Sequence, residues 1–114
     1  MINVNGLLEA FDSDWDLIRE LVTLCQEKVP EYVGNIKTAA DAKNFSQLEH
    51  HAHKLKGSIA HFGCQEFYDC VYQLEVAGRE HKSDSIPGLM DTLEQEFKSF
   101  EAGLRELSQK ANSR

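Results

Sequence analysis

The chain has 114 residues and a formal net charge of −7, from 19 acidic and 12 basic side chains. Its length suits one domain with a single core, and its acidic balance argues against a nucleic-acid surface, which needs clustered positive charge. Three cysteines without a C-x-x-C pair argue against a disulfide framework and favour the reducing cytoplasm. No apolar run approaches the roughly 20 residues that a membrane span needs.

Helical periodicity begins near the N-terminus, where VNGLLEAF predicts a short first helix without the basic and long apolar segments of a signal peptide. A second helix is predicted from about Asp14 to Ala40, with Asp12 or Ser13 as its N-cap. Pro30 lies inside this helix and is expected to kink or divide it. The residues predicted to point inward are Leu17, Ile18, Leu21, Leu24, Cys25, Tyr32 and Ile36.

The third helix is predicted from about Asn44 to Phe62, and Gly63 is expected to end it. Its apolar residues recur at steps of three and four, which predicts a seam that packs against other helices. They are Phe45, Leu48, Ala52, Leu55, Ile59 and Phe62. The fourth helix is predicted over about residues 65–80.

A loop, HKSDSIPG, precedes the last helix, which Ser85 is predicted to cap and in whose first turn Pro87 is expected to lie. The tail 109–114 is expected to fray. Together these elements predict an all-α fold, an antiparallel up-and-down four-helix bundle with a short extra N-terminal helix. We expect one domain over 1–114 with its core at about 4–108.

The stretch EHHAHKLKGSIAHFGC holds four of the chain's five histidines. On a helical wheel, His53 falls roughly 130° from the apolar seam, so its imidazole should face solvent. Its neighbours on that face, Ser46, Gly57 and Ala60, are small, and Lys56 lies within reach of the ring. Because a glycine inside a helix costs about 1 kcal/mol, Gly57 suggests close approach by another molecule. This patch suits a nucleophile that accepts a phosphoryl group.

The segment AHKLKGSIAHFG resembles the motif of histidine-phosphotransfer (HPt) domains, A-H-x-L-K-G-S with a glycine five residues after the serine. The matching residues are Ala52, His53, Leu55, Lys56, Gly57, Ser58 and Gly63. FDSDWDLIRELVTLC, AADAKNFSQLEHHAH and YQLE resemble further helical segments of the family, so the likeness covers nearly the whole chain. Ile59 and Cys64 depart from the pattern, which has small residues there, and Ile59 is expected to alter packing rather than transfer.

The resemblance implies that His53 accepts a phosphoryl group from a receiver-domain aspartate and passes it to the aspartate of another response regulator. It also implies that Lys56 stabilises the phosphohistidine and that Gly57 leaves room for the receiver. The docking surface is expected to centre on His53, and second-helix residues are expected to complete it. Its other predicted members are Ser46, Glu49, His50, Lys56, Gly57 and Ala60.

The implied partners are receiver domains of response regulators and of hybrid sensor histidine kinases, with no nucleic acid and no membrane. The receiver is expected to bring Mg²⁺, and no cofactor or metal is expected in this chain. Without a Gly-rich nucleotide loop or room for an ATP-binding domain, the chain suits a phosphoryl carrier better than a stand-alone enzyme. We expect a monomer, and Met1 favours a free protein.

Two other functions stay open. His50 and His53 lie three residues apart on one helix and could share an ion in a small helical metal-binding protein, although zinc sites use three or four ligands. The apolar seams could instead serve a docking scaffold without chemistry. Such a scaffold has no need of an exposed histidine beside a glycine.

Overall fold

The computed structural model describes residues 2–113, which form five α-helices and no strand. The helices are α1 Val4–Ala10, α2 Trp15–Asp41, α3 Phe45–Ile59, α4 Gln65–Glu80 and α5 Ile86–Asn112, with 3-10 turns at Ala60–Phe62 and Ser83–Ser85. Each of α2 to α5 packs against two others, α2 beside α3 and α5, and α4 beside the same two. This confirms the predicted all-α bundle. None of the described helices is long and apolar enough to cross a membrane.

The start of α2 differs from the prediction. The side chain of Asp14, rather than that of Asp12 or Ser13, accepts the backbone N–H of Leu17 and caps the helix. Asp12 and Ser13 have positive φ angles of 52° and 58° and form the turn that leaves α1. Their left-handed backbone turns the chain, and the first extended residue after it takes the N-cap position.

Two further residues were predicted to mark helix ends, Gly63 after α3 and Ser85 before α5. Gly63 adopts a φ of 67° and ends the turn after α3, as predicted, and a Cβ there would lie 2.7 Å from Cβ of Asn3. Ser85 occupies the N-cap position of α5, as predicted, but its hydroxyl donates to the carbonyl of Lys82 at 3.0 Å and makes no capping hydrogen bond to the helix. Pro87 lies in the first turn of α5, where its missing N–H costs little.

The inward face of α2 is narrower than predicted. Ile18, Val22, Cys25, Val29, Val33, Ile36 and Ala39 are its buried residues. Leu17 and Leu24, predicted to point inward, are 43% and 52% exposed. Each precedes a buried residue by one position, which turns it about 100° away from the core. The helix runs through Pro30 without dividing.

The C-terminal segment is helical as far as Asn112, so the prediction of fraying from residue 109 is wrong for residues 109–112. Ala111 is fully buried, and its carbonyl accepts a hydrogen bond from Arg19 of α2 at 2.6 Å. A charged donor thus satisfies a carbonyl of the last turn, which otherwise lacks a helical partner. Arg114, the end of the predicted tail, lies outside the described residues.

The three cysteines belong to the core. Cys25, Cys64 and Cys70 are free, and each is 3% exposed. Burial raises the pKa of the Cys25 and Cys70 thiols to about 11. Both therefore stay protonated and poorly nucleophilic near neutral pH.

Helices α3 and α4 approach each other closely at Gly78. A Cβ on this residue would lie 2.7 Å from the backbone nitrogen of Glu49 and 2.8 Å from the carbonyl oxygen of Phe45. Only glycine lets the two backbones come this near. The close approach brings side chains of α4 beside the histidine-rich face of α3.

Candidate functional site

His53 projects from the solvent-facing side of α3. Its side chain is 68% exposed. The opposite side of the helix carries the apolar seam, of which Leu48, Ala52, Leu55 and Ile59 are buried. The imidazole therefore points away from the core, as the helical wheel indicates.

A buried carboxylate from α4 lies directly beneath the imidazole. The side chain of Glu75 is only 4% exposed, and its Oε2 lies 2.9 Å from Nδ1 of His53. Lys56 Nζ lies 2.7 Å from the other carboxylate oxygen, and an Arg79 guanidinium nitrogen donates to Oε2 at 3.0 Å. Burial alone would raise the pKa of Glu75, but the contacts from Lys56 and His53 outweigh it, so its pKa lies below the usual value. Glu75 is thus held as a carboxylate.

Glu75 was not predicted from the sequence to belong to the site. The residue lies within YQLE, immediately after the inward residue Leu74 and four residues after the inward Val71. An acidic residue next to an apolar stripe was the available signal, because a buried charge needs partners. Arg79 was missed as well, although it lies one helical turn beyond Glu75.

Lys56 is held near the histidine by the same carboxylate. Its side chain is 19% exposed, and its ammonium lies 5.2 Å from the centre of the Tyr72 ring. The contact with Glu75 raises the pKa of Lys56, so the ammonium keeps its charge. In this state Lys56 pairs with Glu75 beside the imidazole.

Gly57 faces open space. A Cβ on this residue would meet no atom within 4 Å, apart from its own helix backbone and chain neighbours. Packing within the chain therefore gives no reason for a glycine here. This contrasts with Gly78, where a Cβ would collide with the backbone of α3.

The predicted surface residues divide among three depressions. Ser46, Glu49 and His50 line the one that holds His53, together with Glu75 and Arg79. Gly57 lies in a groove between α2 and α3, and Ala60 lines a third depression near Gly63. Glu49 also accepts a hydrogen bond from Nε of Arg79 at 2.8 Å.

The groove between α2 and α3 supplies second-helix residues that the sequence did not identify. Its lining is Leu21, Leu24, Cys25, Lys28, Tyr32, Gly57, Ser58 and His61. Leu24 is exposed there, and Leu17 lies two turns earlier on the same helix. Exposed apolar side chains gathered on one face often mark a site of protein contact.

The geometry does not favour a metal site. Residues 2–113 contain no group of three or more histidine, cysteine or acidic side chains that could hold an ion. His50 instead packs edge-on against His51 with ring centroids 5.1 Å apart, while His53 contacts Glu75. The alternative of a metal-binding protein built on His50 and His53 therefore lacks a ligand set.

A helical bundle with an exposed histidine, followed by Lys56 and Gly57 on a central helix, defines the histidine-phosphotransfer class of protein. The model of the Hpt domain family matches residues 20–108, and the chain belongs to this family. Its function is histidine phosphotransfer in phosphorelays, in which proteins of the family work with receiver domains.

One solved structure supports the fold independently. The chain is similar to histidine-containing phosphotransfer protein B from Pseudomonas aeruginosa PAO1, with a TM-score of 0.86 and 20% sequence identity. The match covers 96% of this chain and 95% of that one. No curated protein matches this chain significantly.

Proposed function

We propose that His53 carries the phosphoryl group, accepting it from a receiver-domain aspartate and passing it to the aspartate of another response regulator. The observation that carries this proposal is the imidazole itself, 68% exposed on α3 and anchored from below by Glu75 at 2.9 Å. A nucleophile that a bulky partner must reach needs this combination of access and fixed orientation.

Lys56 is proposed to stabilise the phosphohistidine. Its ammonium is fixed beside the ring through Glu75, and its raised pKa keeps it charged. A phosphoryl group on His53 brings new negative oxygens to this place, and Lys56 can pair with them as a point charge. Positioning and charge neutralisation are the main means by which proteins assist phosphoryl transfer. The receiver is the expected source of Mg²⁺.

The receiver is proposed to dock over the groove between α2 and α3. Leu24 presents apolar surface there, and Lys28 and His61 add groups that can meet acidic side chains of a receiver. Gly57 lies in the same groove, where the absence of a side chain leaves room for the partner. Ser46, Glu49, His50, Lys56 and Ala60 are proposed to form the remainder of the docking surface.

The partners are proposed to be receiver domains of response regulators and of hybrid sensor histidine kinases. We propose a monomer that acts in the cytoplasm as a single domain and as a phosphoryl carrier rather than a stand-alone enzyme. The three buried, unpaired cysteines support the reducing compartment.

The test is phosphoryl transfer from a phosphorylated receiver domain to the wild-type chain and to the His53→Gln variant. We expect an acid-labile label on the wild type and none on His53→Gln, with both proteins equally folded. His50→Gln and His61→Gln test whether a neighbouring exposed histidine is the acceptor, and each should still acquire the label, although more slowly if the docking contact is weakened. A labelled His53→Gln protein would show that another residue is the acceptor.

A further inference from the structure

Lys56 has a second neighbour besides Glu75, the aromatic ring of Tyr72. Its ammonium lies 5.2 Å from the centre of that ring, a distance at which a cation is attracted to the negative face of an aromatic system. Tyr72 lies on α4, one helical turn before Glu75, whereas Lys56 lies on α3. One face of α4 thus contacts the ammonium twice, and the Lys56 side chain is only 19% exposed.

Tyr72 is more exposed than its place on α4 requires. Tyr68, one turn earlier on the same helix, is partly buried and packs against the core. Tyr72 is instead 47% exposed, and with Leu17 and Leu24 it forms the set of large apolar side chains that the described chain leaves open to water. Burial in the core therefore explains this aromatic ring only in part, because an exposed apolar surface gains little from the core. The contact with Lys56 relates the ring to the site.

An aromatic face holds an ammonium group differently from a carboxylate. The ring has no net charge, so it does not repel the negative oxygens of a phosphoryl group that arrives on His53. The Lys56 ammonium has three N–H donors, and its contact with the carboxylate of Glu75 is to a single oxygen, 2.7 Å away. Attraction to the face of Tyr72 uses no lone-pair acceptor. Donors therefore remain for the phosphoryl oxygens while the ring holds the cation.

The ring also limits where the ammonium can go. A lysine side chain is a flexible four-carbon stem, and holding it in one place costs conformational entropy. The ion pair with Glu75 restrains Lys56 from one side, and the Tyr72 ring restrains it from another. Because the same carboxylate also contacts His53, the restrained ammonium stays beside the imidazole. A charge that is already in place needs little reorganisation when the reaction occurs.

We propose that Tyr72 is a positioning residue that holds the Lys56 ammonium beside His53 through a cation–π contact, ready to pair with the phosphoryl group. The proposal rests on the proposed function of His53 and Lys56 and deepens it. Tyr72 acts through Lys56 and touches neither the phosphoryl group nor the reacting nitrogen. The aromatic ring carries this role, and the phenol hydroxyl has no part in it.

The first test is a double-mutant cycle on the rate of transfer from a phosphorylated receiver. We expect Tyr72→Leu, which keeps an apolar side chain but removes the aromatic face, to lower the maximal rate about fivefold, the effect of losing one cation–π contact. Tyr72→Phe keeps the ring and should transfer like the wild type. In a Lys56→Gln background, Tyr72→Leu should cause no further loss, because the cation is already absent. An equal loss in both backgrounds would overturn the proposal.

The dependence of the rate on receiver concentration separates positioning from docking. Tyr72→Leu should lower the maximal rate and leave the half-saturating receiver concentration unchanged. Gln73→Leu is the matched control, since Gln73 is the next exposed residue of α4 and lines the same depression as Tyr72. It should leave both quantities unchanged, and a loss equal to that of Tyr72→Leu would contradict a role of the ring. A Tyr72→Leu variant with a raised half-saturating concentration and a normal maximal rate would overturn the positioning role.

The second test observes the contact itself in the unphosphorylated full chain by ¹H NMR. Protons above an aromatic face are shifted upfield, so the methylene next to the Lys56 ammonium should be shifted in the wild type and in Tyr72→Phe but not in Tyr72→Leu. An unshifted wild-type methylene would overturn the proposal. A folded Tyr72→Leu protein that transfers at the wild-type rate would overturn the positioning role alone and leave His53 as the acceptor. A wild-type chain that is never phosphorylated on His53 would overturn the proposed function and this proposal with it.

Discussion

Gly57 lies on the exposed side of α3, where a side chain would meet open space. A glycine inside a helix reduces stability by about 1 kcal/mol relative to alanine, and here no neighbouring atom offsets that cost. The open space at this position suits the proposed approach of a receiver to His53. Gly34 of α2 is also without neighbours at its Cβ position, but it lies outside the groove that holds Gly57.

Alanine and leucine variants of the two glycines separate stability from transfer. Gly57→Ala and Gly34→Ala should each raise the free energy of unfolding by about 1 kcal/mol, measured by denaturant titration. Gly57→Leu should keep the fold and slow transfer from a receiver by about tenfold or more, because steric misplacement is costly to reaction. Gly34→Leu is the control and should transfer normally. Unchanged transfer in Gly57→Leu would contradict the steric role of this glycine.

At the scale of single residues, the sequence predicts one half of the site. His53, Lys56 and Gly57 share one helix face, so their proximity follows from helical spacing alone. Glu75 and Arg79 come from a different helix, and no local spacing relates them to His53. Their presence beside the imidazole depends on how α3 and α4 pack.

At the scale of single elements, the buried face of α2 differs from the face that its apolar periodicity predicts. Seven apolar positions were predicted to point inward, but the structure buries a narrower stripe and leaves Leu17 and Leu24 about half exposed. An apolar residue contributes to a hydrophobic pattern whether it faces the core or a partner, so periodicity cannot distinguish the two. The excess of apolar residues on α2 is therefore part of the proposed docking surface.

Leu24 tests the role of this helix. Leu24→Asp should change the free energy of unfolding by no more than about 0.5 kcal/mol, because the side chain is 52% exposed. It should weaken binding of a receiver by about tenfold or more, since it places a charge in an apolar contact. Gln26→Asp adds the same charge to α2 beside α5 and should bind normally. Equal binding by both variants, measured by titration calorimetry, would place the docking surface elsewhere.

At the scale of the whole molecule, the bundle follows from steps of three and four in its apolar residues, because each helix must bury one stripe. The relative position of the helices is set by features without a sequence period. Gly78 lets α3 and α4 come close enough for Glu75 to reach His53. Likewise, the hydrogen bond from Arg19 to the carbonyl of Ala111 holds the end of α5 against α2, a long-range contact that no local pattern in the tail predicts.

The residue that carries the phosphoryl group can be identified directly in the whole protein. The ¹⁵N-labelled wild-type chain is phosphorylated by a receiver domain, and ³¹P–¹⁵N coupling is measured in the intact product. We expect coupling to an imidazole nitrogen of His53 and to no other residue. Coupling to another histidine, or a phosphorylated receiver that never transfers its group to this folded chain, would contradict the assignment of His53 as the phosphoryl carrier.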